Sequence, residues 1–295
     1  MKAVVVILFA ALASPALAQD LPVSLEDGAT WSITAEHSRS IEGMGKDQTW
    51  SLTTVKRLTW HAGDKGKPDT LTVTPISAVA GAGSPPELAS GRSLAIPATL
   101  VVDGSLAPGE VVNKDEVRAE FARLVPKAAE GSPDLIDVSS RAMIVSELAA
   151  ASRGQGFGLK LKQPVSTDAK IANPLGGPDV RAIETAELAD FDKTRGRAVI
   201  KWRQALDPDS FKASTVAMLA AMANGKVEPA KIAEARAALA TAKMTSQTEC
   251  LYEIDIHTGL ARRGDCQVNN EVSVQGKTQR VAEHWTISQT EPGTS

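Results

Sequence analysis

Apolar and polar residues alternate with a period of two along much of the chain. Trp31, Ile33 and Ala35 alternate with Ser32, Thr34 and Glu36, the pattern of a strand with one buried face. After a Gly-bearing turn at 43–47, Trp50, Leu52, Leu58 and Trp60 mark a longer strand. Beyond a turn at 63–68, Leu71 and Val73 alternate with Thr72 and Thr74. Residues 81–91 carry Pro85, Pro86 and three glycines and read as a loop. Residues 94–102 read as a strand that Pro97 confines to an edge or a bulge.

The period then changes to that of a helix. Asn113 with Glu116 three residues later is a capping-box pattern, and Val117, Phe121, Leu124, Val125 and Ala128 follow at helical spacing. Pro133 opens a second helix, with Leu135, Val138, Ala142, Val145 and Ala149 on one face and Gly154 and Gly156 at its end. Phe157, Leu159 and Leu161 return to alternation, and 163–179, with three prolines and two adjacent glycines, reads as a linker. The second half repeats the plan. Residues 180–191 are strand-like with poorly distinguished faces, and Ala198, Ile200, Trp202 and Leu206 mark a half-buried strand. Asp207 and Pro208 start a helix carrying Phe211, Thr215, Met218, Leu219 and Met222. Pro229 opens another with Ile232, Ala235, Leu239 and Ala242, and a last strand holds Val281, Trp285 and Ile287.

Between them, Cys250, Tyr252, Ile254 and Ile256 share one face, and Leu260, Cys266, Val268, Val272 and Val274 share another across the turn His257-Thr258-Gly259. This is a β-hairpin. With Thr258 at its centre, Cys250 faces Cys266 and Tyr252 faces Gly264. Opposed Cβ atoms lie roughly 4.5–5.5 Å apart, within reach of a disulfide. Such a bridge contributes on the order of 3 kcal/mol. The spacing is not Cys-x-x-Cys, which favours a structural over a redox pair.

Short turns between strands imply antiparallel pairing, and grouped helices argue against a doubly wound parallel sheet. The expected fold is α+β: one large curved antiparallel sheet, an unclosed barrel, with two inserted helix pairs on its concave face. Residues 19–295 form a single domain in this reading. Two related halves, about 27–163 and 180–289, are joined by 164–179.

The N-terminus adds a location. Lys2, the apolar run 3–13 and Ala16-Leu17-Ala18 have the order of a cleavable signal peptide, with cleavage near Ala18–Gln19. The run is shorter than the ~20 residues that span a bilayer, and no second apolar run of that length follows. A soluble periplasmic or secreted chain is expected, with no transmembrane segment. The formal net charge of −3 gives no electrostatic footprint for nucleic acid. Aromatic residues are only 4% of the chain, so the core must rest on Ala, Val, Leu and Ile.

Signal, large antiparallel sheet and inserted helices resemble, in element order, the periplasmic lipoprotein-carrier proteins of the LolA/LolB type. No motif is shared, so no residue role carries over. The resemblance implies an open barrel that holds an acyl chain under a helical lid.

Catalytic chemistry finds no anchor in the sequence. No Gly-x-Ser-x-Gly elbow is present. His37, His61, His257 and His284 show no metal-ligand spacing and read as surface histidines. Glu283 and His284 should point to opposite faces of their strand. No catalytic residue, metal ligand or cofactor is assigned. Trp31, Trp50, Trp60, Trp202 and Trp285 lie on expected apolar faces, and Met218 and Met222 on one helix face. They either pack as core or line a cavity for an apolar ligand. The reading is a non-enzymatic binder of a lipid or lipoprotein acyl chain. The alternatives are a module that binds an envelope protein, or an unrecognised hydrolase.

Overall fold

The structure, a computed structural model, describes residues 21–43, 47–64, 66–84, 96–124, 133–153, 159, 161–171, 178–223 and 229–294. The expected signal peptide (1–18) and half of the expected strand at 157–162 lie outside them, and in the other half no strand forms: Leu161 makes only an isolated bridge to Leu188. Five strands come first: β1 (Ala29–Glu42), β2 (Gln48–His61), β3 (Asp69–Ala80), β4 (Ala98–Val102) and β5 (Pro108–Val111). Helices α1 (Lys114–Leu124) and α2 (Pro133–Ser152) follow. Then come β6 (Val165–Ile171), β7 (Val180–Asp192) and β8 (Arg197–Leu206), and helices α3 (Pro208–Ala223) and α4 (Pro229–Ala240). The chain ends in β9 (Lys243–Asp255), β10 (Ala261–Val274), β11 (Lys277–Gln289) and the short β12 (Gly293–Thr294).

The strands form one antiparallel sheet in the order β5-β4-β3-β2-β1-β11-β10-β9-β8-β7-β6, with β12 beside the start of β1. β5 and β6 are its two free edges, so the sheet is open. This is the expected α+β fold, with differences of detail. β4 begins at Ala98, just after Pro97, because proline has no N–H for the ladder. The expected linker contains a strand, β6, whose ends carry the prolines and glycines that suggested a linker. The four-residue β5 is too short to show periodicity. In β7 the faces blur in sequence because Glu184 points inward while Ile183, 56% exposed, points outward.

Local chemistry sets the helix starts. At α1 the Asn113 amide donates to Glu116 (3.3 Å), while its carbonyl oxygen accepts the N–H of Thr99 (2.9 Å). Asn113 precedes α1 as expected, but its side-chain oxygen is taken by Thr99 rather than by a helix N–H, so the residue ties the helix start to β4. At α3 the Asp207 carboxylate accepts the N–H of Ser210 (2.8 Å), an N-cap bond.

Both helix pairs cover the same, inner face. Val117, Phe121, Ile144, Val145 and Leu148 pack with Trp31, Ile33, Leu58, Leu71 and Leu100 at one end. Phe211 packs with Val180, Ala182, Ala242 and Met244 at the other. Each such side chain stabilises the fold by roughly 1.5–3 kcal/mol relative to exposure. Between them lies a third cluster around Trp202, Tyr252, Cys250 and Cys266. The disulfide Cys250–Cys266 joins directly opposed residues of β9 and β10. Tyr252 lies opposite Gly264, where an added Cβ would stand 3.0 Å from the tyrosine ring. That ring cannot move aside, because its hydroxyl donates to the carbonyl of Ala150 in α2 (2.5 Å).

A second bond holds α2 down. Lys56 Nζ on β2 meets Glu147 Oε2 at 2.5 Å and donates to the carbonyl of Ile144 at 3.2 Å. Thr54 donates to the other Glu147 oxygen at 2.9 Å. Lys56 and Glu147 are 4% and 1% exposed, so removing one charge strands the other. Glu147→Ala should cost about 3–5 kcal/mol in urea unfolding. The apolar double variant Lys56→Met/Glu147→Leu should regain most of it. A single variant as stable as the parent would show that the pair does not hold α2 in place.

Candidate functional site

The strand registers align the inner face in rows. One row reads Leu52, His37, Trp285, Cys266, Cys250, Trp202, Ala186 across seven strands. The next reads Trp50, Arg39, Glu283, Val268, Thr248, Gln204, Glu184. A third holds Ile41, Val281, Asn270 and Ser246. The middle row is largely polar. This is the main departure from the uniformly apolar inner face that alternation implies.

His37 is the clearest correction. It is 6% exposed, not a surface residue. Its ring stacks on Trp285 (centroids 3.6 Å apart, planes 15° apart) and meets the edge of Trp50 at 4.7 Å. Its Nε2 lies 3.1 Å from Glu283 Oε2, while Arg39 Nε stands 3.5 Å from the other oxygen. Burial works to raise the Glu283 pKa, but the His37 hydrogen bond and the His37 and Arg39 charges outweigh it. The carboxyl is held below its ordinary range. Two strands beyond the disulfide-bearing β9, Glu184 accepts a hydrogen bond from Gln204 (2.8 Å). Arg153, the residue after α2, sets its guanidinium carbon 5.2 Å from the centroid of Trp202. Desolvation lowers its pKa, and the charges of Tyr252, Glu184 and Glu283 work in the opposite direction.

The residues proposed to line a cavity divide accordingly. Trp50 and Trp285 flank His37 beside the polar row, and Trp202 lies three strands from Trp285, under the Arg153 guanidinium. Trp31 is 2% exposed in the core beneath α1 and α2, where its Nε1 donates to Gln289 (2.6 Å), and Trp60 packs against that same core. They stand six or more residues along the strands from the polar row, about 20 Å away. Met218 is buried on α3, and the side chain of Met222 lies outside what the structure describes. His61 pairs with Asp27, and His284 with Asp265 on the outer face, opposite in direction to Glu283 as expected. Sequence reading missed His37, Arg39, Arg153, Glu184 and Glu283. Extending the parity of Trp31, Ile33 and Ala35 by two steps would have found the first two.

Among the described residues no group of three or more His, Cys, Asp and Glu is placed to hold a metal ion. No helix among them is long and apolar enough to cross a membrane. The outer face carries an open groove of about 470 Å³, walled by Arg197, Glu253, Arg263, Asp265, Glu36 and Leu251.

No protein-family model matches the sequence, and no curated protein is significantly similar to it. Among solved structures, the chain is similar to the OccK11 (OpdR) protein of Pseudomonas aeruginosa. The identity is 8%, covering 91% of this chain and 98% of that one, with a TM-score of 0.21. An outer membrane channel of Pseudomonas putida F1 gives 9%, 92%, 98% and 0.20 in the same terms. An outer membrane lipoprotein-sorting protein domain of Vibrio parahaemolyticus gives 9%, 89%, 84% and 0.15. Likenesses at these scores carry no argument about fold or function.

The Glu283 pairing sets a pH dependence. A carboxyl whose pKa is lower folded than unfolded contributes stability above the unfolded value of about 4.3, and that stability is lost as pH falls through the folded value. Urea midpoints measured from pH 7 to pH 3 should show wild type more stable than Glu283→Gln at neutral pH. The gap should close below about pH 4. A gap unchanged at pH 3 would remove the ionised carboxylate from this account.

Proposed function

We propose that the chain is a non-enzymatic periplasmic binding protein for an apolar ligand such as a lipid or the acyl chain of a lipoprotein. The ligand lies on the inner face between the two helix pairs. One observation carries this reading. Ile41, Trp50, Val268, Val281 and Trp285 are only half-buried there, although the same face is packed tightly by helices at either end. Contiguous apolar side chains left half-exposed inside a curved sheet are a surface for a ligand. The periplasmic part of the reading rests on the signal-like segment 1–18, and the element order resembles that of the LolA/LolB carriers.

The geometry favours the other readings less. On the outer face, the exposed apolar side chains Leu251 and Ile183 stand opposite Lys201 and Asp168, which breaks them into isolated spots rather than a docking patch. For hydrolysis, the inner-face hydroxyls Ser246 and Thr248 on β9 sit three strands from His37, about 14 Å away. That is beyond nucleophile–base reach.

The protein secreted into a bacterial periplasm should carry lipid in native mass spectrometry. Val268→Asp and Val281→Glu should weaken binding of a fluorescent acyl probe about tenfold or more, a loss of about 1.4 kcal/mol or greater. Both changes fall on half-exposed positions, so thermal melts should move by only a few degrees. A protein that binds neither lipid nor probe would end this reading.

A further inference from the structure

Among the described residues Arg153 is an inner-face cation that no carboxylate pairs with. Among the described residues, Lys56 is paired with Glu147 and Arg39 stands beside Glu283. The Arg153 guanidinium stacks over Trp202. It donates no hydrogen bond and forms no ion pair among the described residues. A guanidinium held over a ring by its charge keeps N–H donors for planar or tetrahedral oxyanions.

The acceptors near it are already engaged. Glu283 holds His37 and lies against Arg39. Glu184 accepts from Gln204. The Tyr252 hydroxyl donates to the Ala150 carbonyl. Desolvation is the largest influence on the guanidinium and lowers its pKa, while Arg153 itself is half-buried. Two further donors share that part of the face. The residues Ser246 and Thr248 are 9% and 6% exposed, and each carries a hydroxyl that can donate. The half-buried Val268, Val281 and Ile41 run alongside in the same and the next row.

We infer that Arg153, with Thr248 and Ser246 beside it, receives the oxyanion head of an amphiphile, a carboxylate or phosphate, whose acyl tail lies along Val268, Val281 and Ile41. This rests on the acyl-binding reading given above and narrows its ligand to an anionic amphiphile. The guanidinium supplies two charge-assisted hydrogen bonds and the β9 hydroxyls a third, while the Trp202 ring holds the cation beside them.

Binding of hexadecanoate, hexadecyl phosphate and hexadecanol by wild type, Arg153→Gln and Arg153→Lys, followed by calorimetry, tests this. Arg153→Gln should weaken at least one of the two anions about tenfold or more and leave hexadecanol within about twofold. Arg153→Lys, which keeps the charge but not the fork, should fall between. The anion that loses more affinity identifies the head as a fatty-acid carboxylate or a phosphate. Equal losses for all three ligands, or none for any, in variants with wild-type circular dichroism would overturn the role of Arg153 while leaving acyl binding intact. Wild type that binds none of the three would overturn both.

Discussion

The pairing of β1 with β11 is the contact on which the rest of the molecule depends. It joins Ile33–Glu42 to Arg280–Gln289 in antiparallel register. Without it the strands would fall into two sheets, β5 to β1 and β11 to β6, each with its own helix pair and a long exposed edge. The register matters as much as the contact. It sets His37 opposite Trp285 and Arg39 opposite Glu283. A slip of one residue would turn the inner face of one half outward. The stacked rings and the His37–Glu283 bond fit only this register, so the buried polar row favours one alignment of the two halves over its neighbours. Contacts so distant in sequence close a large loop, which makes this fold slow to assemble by the usual relation between topology and rate.

That pairing was also the part least legible in sequence. Alternation tells which face a residue occupies but not which strand lies beside it. A partner can be read where a short turn dictates it. The Cys250–Cys266 bridge and the Tyr252–Gly264 contact follow from the centre of one hairpin, and both are present. The start of α3 follows from the Asp207 cap. Proline and glycine misled in one place: they flank β6 rather than exclude it. The edge strands β5 and β6 are short and half-exposed, and their sequences carry little period of their own.

The inner-face charges were hidden for a different reason. Periodicity analysis assigns a charged side chain to solvent, which is right unless a partner waits on the facing element. Glu147 lies on the buried side of α2 because Lys56 and Thr54 meet it there. Glu283 lies inside because His37 and Arg39 do. Each partner is remote in sequence, so neither half of a pair could be read as buried until both were placed. The five tryptophans could be assigned to the inner face from sequence. Whether each serves core or site depends on where the helices land, which the pattern does not encode.

The landing of the helices has a geometric cause. Strands β1, β2 and β10 are 14 residues long, about 45 Å at 3.3 Å per residue. A helix is about 10 Å across, so a pair lying across the strands covers about 20 Å of their length. One pair cannot shield such a sheet. Two pairs, inserted at β5–β6 and at β8–β9, cover opposite ends and leave a strip between them. Water-facing polarity is unsuitable for a strip enclosed by curvature and helices on both sides, and a wholly apolar strip would favour collapse of one pair onto the other. What fills it is a mixture: stacked rings, paired ions, the hydroxyls of Ser246 and Thr248 and a line of half-buried valine and isoleucine. The remaining apolar and donor groups share the strip between the two helix pairs.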